Sequence, residues 1–342
     1  MLLLFVIIIL IGLLCVSLYA NDIYIRRICR CLFIFISIYI AGFRDMIGQD
    51  YPQYVERLKY IEELSLFNEP SFTLLAILVK ETDFSHVFFF LIMSIITLIP
   101  IYKFYYSSKF PLYSIFIFLL FPGCGYLQTF NLVRQFAAIA ISLYAFKYVI
   151  NRDLMKFLLI TFVAFLFHFS AIFLIPLYYI VNLKVRNWIL VLSIIASLLI
   201  SKLDISLTSI VLLIPGYESY YYNQISNESS TVVLILNAFM IYIILNKKLF
   251  VKDQADNVFL NYTVIGIVLY NLSIISEVFM RLSLYGLIYI PITLTLPFIK
   301  QTNGTIVYKV TIIIFFILVF INLYLSGYAE DFAILPFSSL FD

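Results

Sequence analysis

The run Phe157–Asn182, FLLITFVAFLFHFSAIFLIPLYYIVN, decides the fold. It reads either as one tilted helix of about 25 residues or as a shallow hairpin turning at His168-Phe169-Ser170. Lys and Arg gather on the cytoplasmic side of a membrane protein, so the charges flanking the run choose between one crossing and two. With a hairpin, the cytoplasmic loops and span ends hold Arg26, Arg27, Arg30, Lys103, Lys109, Lys147, Arg152, Lys156, Lys184, Arg186, Lys247, Lys248, Lys252, Lys300 and Lys309. That is 15 of the 22 basic residues. Of the 19 acidic residues, only Asp22, Asp153, Asp253 and Asp256 join them. A single crossing would invert everything downstream and export the seven from Lys184 onward. The hairpin is the better reading, and it leaves both termini outside.

That a membrane is the right frame follows from composition. Hydrophobic residues make up 64% of the 342 and charged residues 12%, with a mean hydropathy of +1.06. Soluble domains carry about 45–50% apolar and about 25% charged residues. A water-facing surface cannot be built from half the usual charge. The net charge is only +3 and no basic block occurs, which excludes nucleic-acid binding. The four cysteines lack paired metal-ligand spacing, and no glycine-rich phosphate loop or nucleophile elbow is present.

Read outward from the hairpin, apolar runs near 2–20, 28–43, 84–104, 112–128, 132–150, 157–168, 170–182, 188–203, 231–246, 258–276, 282–299 and 308–325 give about twelve transmembrane segments. The first has no positive residue before it and no small-x-small site after it, so it reads as a retained span. The expected fold is an all-α polytopic membrane protein, one integral-membrane domain over 1–342, with long outer loops at 44–83 and 204–230. The first loop holds an apolar stretch, Phe72 to Val79, expected along the interface. The second holds Pro215-Gly216-Tyr217-Glu218-Ser219-Tyr220-Tyr221-Tyr222-Asn223, which suits either a sugar-binding face or an aromatic interface belt.

Charge at a bilayer costs roughly 2.5–3.5 kcal/mol per group at a helix centre, so ionisable residues at span ends are informative. The hairpin topology puts Arg44, Asp45, Asp50, Arg134, Glu277 and Arg281 on the outer side, with His168 at the hairpin tip. In Asn131-Leu132-Val133-Arg134-Gln135, positions 131, 134 and 135 share a helical face, and small residues at 137, 138 and 140 admit neighbouring helices. Glu277 and Arg281 form an i, i+4 pair in the favourable order, with Tyr285 one turn on. In Gly42–Tyr54, Gly48 permits a tight turn that could bring Asp50 toward Arg44, beside Tyr51 and Tyr54. Each group also has a plain reading, as snorkelling arginine, structural ion pair, solvated loop or buried histidine. Three arginines on one membrane face nevertheless point to an anionic ligand at the lipid surface. Arginine's planar fork suits a lipid-linked diphosphate, a leaving group that needs charge stabilisation.

F-R-D-x-x-G-x-D-Y-x-x-Y (43–54), N-x-x-R-Q-x-x-A (131–138), F-H-x-S-A (167–171) and E-x-x-x-R-x-x-x-Y (277–285), in that order, resemble the EpsG family, the Wzy-like polymerases of bacterial exopolysaccharide and O-antigen. Leu335-Pro336-Phe337 is similar to that family's C-terminal Pro-aromatic element, with Phe337 in place of the commoner Tyr. The resemblance implies a GT-C-like helical glycosyltransferase in the bacterial inner membrane. It would polymerise undecaprenyl-diphosphate-linked repeat units by en bloc transfer, with no metal or cofactor, and with a chain-length regulator as a candidate partner. On this reading Arg134 and Arg281, with Arg44, hold the donor diphosphate. Tyr51, Tyr54, Asn131, Gln135 and Tyr285 line the substrate. Asp50 is the first choice of general base, before His168 and Glu277. The alternative is a lipid-linked oligosaccharide flippase, which would carry its charges near the bilayer midplane.

Overall fold

The computed structural model describes residues 2–48, 50–60, 70–80, 82, 85–202, 231–300 and 302–325. The expected outer loop 204–230, the Leu335-Pro336-Phe337 element and Gln49 lie outside the described residues. Every regular element among the described residues is a helix.

The chain forms two compact units. The first holds α1 (Leu2–Tyr19), α2 (Ile23–Gly42), α3 (Tyr51–Lys59), α4 (Pro70–Val79), α5 (Ser85–Tyr106), α6 (Pro111–Leu120), α7 (Val133–Ser142) and, after the short α8 (Phe146–Ile150), α9 (Leu154–Phe167). α5 is its spine, packed by α2, α4, α6 and α7, while α9 packs on α7 and α4. The second unit holds α10 (Leu174–Ile180), α11 (Asn187–Ile200), α12 (Thr231–Leu245), α13 (Lys247–Phe250), α14 (Gln254–Asn271), α15 (Glu277–Leu287) and α16 (Ile290–Thr293). Its centre is α14, against which α11, α12, α15 and α16 pack. The last helix, α17 (Asn303–Leu325), begins in the second unit and ends in the first.

Local chemistry sets the helix ends. Asp22 caps α2 by accepting the Tyr24 and Ile25 N–H groups at 2.6 and 3.1 Å. Asp153 caps α9 through Lys156 N–H at 3.2 Å, and Asp253 caps α14 through Asp256 N–H at 2.9 Å. α6 starts at Pro111 and stops at Leu120, because Phe121 precedes Pro122 and is pushed into extended backbone. The expected span 112–128 is therefore corrected to a ten-residue helix followed by a 3₁₀ turn, Tyr126–Phe130. α4 buries Phe72, Thr73, Ala76 and Val79 at helical spacing and exposes Leu74, Ile77 and Leu78. Its inner face thus belongs to the packed core, and its outer face is apolar.

Among the described residues, four helices can cross a membrane by length and composition: Ser85–Tyr106, Val133–Ile150, Gln254–Ile274 and Asn303–Asn322. A fifth is counted if Glu277–Leu287 and Ile290–Ile299, bent by 49°, form one span. The other apolar helices, Leu154–Phe167, Phe169–Ile180, Asn187–Ile200 and Thr231–Leu245 among them, run 10–17 residues. At 1.5 Å per residue they are short for an apolar layer about 30 Å thick. The chain is a multi-pass membrane protein.

In the second unit α14 and α15 approach unusually closely. A Cβ on Gly266 would lie 2.7 Å from the Gly286 carbonyl carbon, and one on Gly286 would lie 2.4 Å from the Tyr262 oxygen. Only glycine lets the two backbones meet there. Beside this contact Thr263 and Thr293 share a hydroxyl hydrogen bond of 2.7 Å.

Candidate functional site

In the first unit, the loop after α2 turns through Met46 and Gly48, both at positive φ (51° and 103°). A Cβ at Gly48 would lie 2.7 Å from the Phe130 carbonyl oxygen, so the loop lies flat on the 3₁₀ turn. Arg44 fixes that contact. Its Nε donates to the Ile47 carbonyl and its Nη2 to the Phe130 carbonyl, each at 3.1 Å, and its Nη1 donates to the Ala41 carbonyl. The guanidinium lies 4.4 Å from the Phe90 ring centre and 5.1 Å from that of Phe130, and the residue is 2% exposed. Burial pushes its pKa down to about 10, so it remains charged at neutral pH. Arg44 is therefore a strut between main-chain carbonyls.

Asp50 stands half-buried at the N-cap of α3, where its carbonyl accepts Tyr54 N–H at 3.1 Å and its carboxylate does not cap the helix. Tyr51 stacks on Phe90 with ring centres 4.6 Å apart, and its hydroxyl reaches Asp45 Oδ1 at 3.4 Å. Burial and the Asp45 carboxylate push the Tyr51 phenol up to about 12, so it stays a donor. Tyr54 is buried, and its hydroxyl accepts a hydrogen bond from Arg134 Nε at 3.0 Å. The Arg134 guanidinium lies 5.3 Å from the Tyr54 ring centre and 5.4 Å from that of Phe72.

The expected shared face of 131, 134 and 135 is corrected by the start of α7. The helix begins at Val133, so Asn131 belongs to the end of the 3₁₀ turn, with Nδ2 3.5 Å from Gln128 Oε1. Asn131 and Gln135 are buried, and Arg134 alone of the three is half-buried.

His168 follows α9 in extended backbone (φ −158°, ψ 127°) and is 9% exposed. Its Nδ1 lies 2.7 Å from Ser170 Oγ and accepts Ser170 N–H at 3.3 Å. Asp50, Arg134 and His168 share one foundation. Tyr51, Tyr54, Phe72 and Val133 belong to a single apolar cluster, and Phe167 packs against it. Each of the three polar residues is the chain neighbour of a member or of Phe167. Phe72, which flanks Arg134 from α4, escaped the sequence reading because only its apolar spacing was visible.

In the second unit, Glu277 opens α15 and Ser276 caps it by accepting Val278 N–H at 3.3 Å. Arg281 Nε and Nη2 both donate to Glu277 Oε1, at 3.0 and 2.8 Å. Both side chains are mostly buried, and Tyr285, one turn on, is fully so.

The chain matches the family model of the EpsG family over residues 27–339. The chain belongs to the EpsG family. No curated protein and no solved structure matches it. Membership in the EpsG family points to a polysaccharide-polymerase-type role with glycosyltransferase-like chemistry. Among the motifs of this EpsG-family chain, the first three (43–54, 131–138 and 167–171) converge on the apolar cluster of the first unit, and the fourth builds the Glu277–Arg281 pair of the second.

Proposed function

We propose that this chain polymerises undecaprenyl-diphosphate-linked oligosaccharide repeat units into surface polysaccharide, by en bloc glycosyl transfer at the outer face of the bacterial cytoplasmic membrane. The observation that carries the reading is Arg134. Its Nε is engaged by the Tyr54 hydroxyl and its plane is flanked by the Tyr54 and Phe72 rings. An arginine so oriented suits phosphate oxygens and stays charged in a poorly hydrated site.

The chemistry is displacement at the anomeric carbon of the lipid-linked donor. The acceptor hydroxyl oxygen forms the new C–O bond. The bond to the diphosphate breaks, and the diphosphate departs with the electron pair. Arg134 binds the diphosphate and stabilises its growing charge. Asp50, beside the cluster that carries Arg134, takes the acceptor proton. Arg281, oriented by Glu277, gives the second unit its own binding element for a lipid-linked diphosphate. The twelve-span topology with outer loops at 44–83 and 204–230 belongs to the same proposal and is supported by the distribution of Lys and Arg, while its GT-C likeness is what the family resemblance implies.

The test uses detergent-purified protein and an undecaprenyl-diphosphate-linked repeat unit, without nucleotide sugar. A product ladder spaced by whole repeat units, lost in Arg134→Ala, is the expected result. Detergent removes sidedness, so a flippase gives no ladder. Its absence with folded protein and the cognate unit would sink the polymerase reading.

A further inference from the structure

Packing in the first unit brings the start of α2 beside the end of α5, and the end of α5 beside the segment that joins α7 to α9. Cations and tyrosines alternate along the rim so formed. The Arg30 guanidinium lies 4.4 Å from the Tyr106 ring centre, and Lys103 Nζ lies 5.7 Å from that of Tyr144. Tyr148 is faced by Lys147 Nζ at 4.7 Å and by Lys156 Nζ at 5.6 Å. The Tyr106 ring is anchored through its hydroxyl, 3.3 Å from that of buried Ser17 on α1.

The acids at this rim are already engaged. Asp22 caps α2, and Asp153 caps α9 while pairing with Lys156 at 2.8 Å. Among the described residues, no ion pair neutralises Arg27, Arg30, Lys103 or Lys147, and all four are exposed. On α2, Arg30 stands one turn from both Arg26 and Arg27, and like charges at that spacing repel. An anion between them removes the repulsion. We propose that this rim binds the phosphates of anionic glycerophospholipids in the adjoining leaflet, through Arg27 and Arg30 on α2 and Lys103 and Lys147 on the neighbouring helices. Clusters of Lys and Arg beside membrane helices recognise such lipids, and tyrosine, apolar in its ring and polar at its tip, settles at headgroup level. The topology proposed above places the rim at the cytoplasmic leaflet. This lipid site is independent of the polymerase reading.

The test is lipid-dependent thermal unfolding of the full chain in detergent. Added phosphatidylglycerol should raise the unfolding temperature, and phosphatidylcholine with the same acyl chains should not. Raising salt from about 0.1 to about 1 M shortens the screening length from about 10 to about 3 Å and should abolish the difference. An equal shift with both lipids would mean that acyl chains alone stabilise the protein. An equal shift with inorganic phosphate would mean a site for a free anion. Either result, or a difference that survives high salt, overturns the proposal.

Paired variants locate the site. Arg27→Gln/Arg30→Gln should raise the half-saturating concentration of phosphatidylglycerol by about 10-fold or more, with the unfolding temperature in phosphatidylcholine unchanged. Arg57→Gln/Lys59→Gln removes the same charge from exposed positions on α3, which packs at the opposite end of α5, where Tyr51 stacks on Phe90. That variant should titrate like the wild type. Equal weakening in both would reduce the effect to net charge, and no weakening in the first would place the lipid elsewhere. Both outcomes overturn the proposal. Should the α2 variant fail to fold, Lys103→Gln/Lys147→Gln on the neighbouring helices carries the same expectation.

Discussion

Arg134 and Arg44 are the same residue type in one unit, and their partners give them different work. Arg134 Nε donates to a phenol, whereas Arg44 places three nitrogens on main-chain carbonyls. Tyr54→Phe removes the partner of Arg134 Nε and keeps the ring beside it. A hydrogen bond to a charged group contributes about 1.5–3 kcal/mol, so the KM for the lipid-linked donor should rise by about 10-fold or more while the protein stays folded. An unchanged KM would mean that Tyr54 does not orient the arginine. Arg44→Ala leaves buried carbonyls unpaired, at about 1–3 kcal/mol each, and should lower the unfolding temperature in detergent and reduce yield. The sign of its pH dependence follows from burial. Folding lowers the Arg44 pKa to about 10, so burying the charge opposes folding at all lower pH. That opposition is relieved only as pH rises through about 10 toward the unfolded value. The Arg44→Ala deficit should therefore be constant between about pH 6 and 9.

Elements are held at a few points where a side chain does not fit. Gly48→Ala adds a Cβ against the Phe130 carbonyl at a φ of 103°, a conformation costing of order 1–3 kcal/mol for other residues. It should loosen the loop before Asp50 and lower kcat for polymerisation more than it lowers the unfolding temperature. Gly286→Val sits within the α14–α15 contact and should instead abolish folded protein, read as loss of the monodisperse peak after extraction. How far the sequence foretold these elements depended on the kind of signal. Long apolar runs became helices near the expected places, and the run 157–182 is broken at His168. The end of α6 was available in Pro122 and was overrun because the apolar composition continues past it. The strut role of Arg44 had no signature, since main-chain carbonyls look alike in every sequence. The Arg134–Tyr54 bond joins residues on helices far apart in the chain, and their motifs announced each residue without its partner.

For the whole molecule, the proposed topology makes a labelling prediction. Lys59 and Lys248 are both exposed, and the charge distribution assigns them to opposite sides of the membrane. In a cysteine-free background, Lys59→Cys should react with an impermeant maleimide in intact spheroplasts. Lys248→Cys should react only after the membrane is opened. Reaction of both from outside would return the run 157–182 to a single crossing.

The second unit also contains a buried hydrogen-bonded trio. Asn237 on α12 and Asn271 on α14 exchange amide bonds of 3.0 Å, and Asn271 donates to Ser197 on α11 at 2.8 Å. Unpaired amides are costly in hydrocarbon, so each needs its partners before it rests in the bilayer. During synthesis, α11 and α12 emerge before α14. A nascent chain that ends before Gln254 carries Asn237 and Ser197 with no Asn271 to receive them. Truncation at that point should therefore leave α11 and α12 less stably packed than they are in the full chain. The trio thereby ties α11 and α12 to a helix that is made after them.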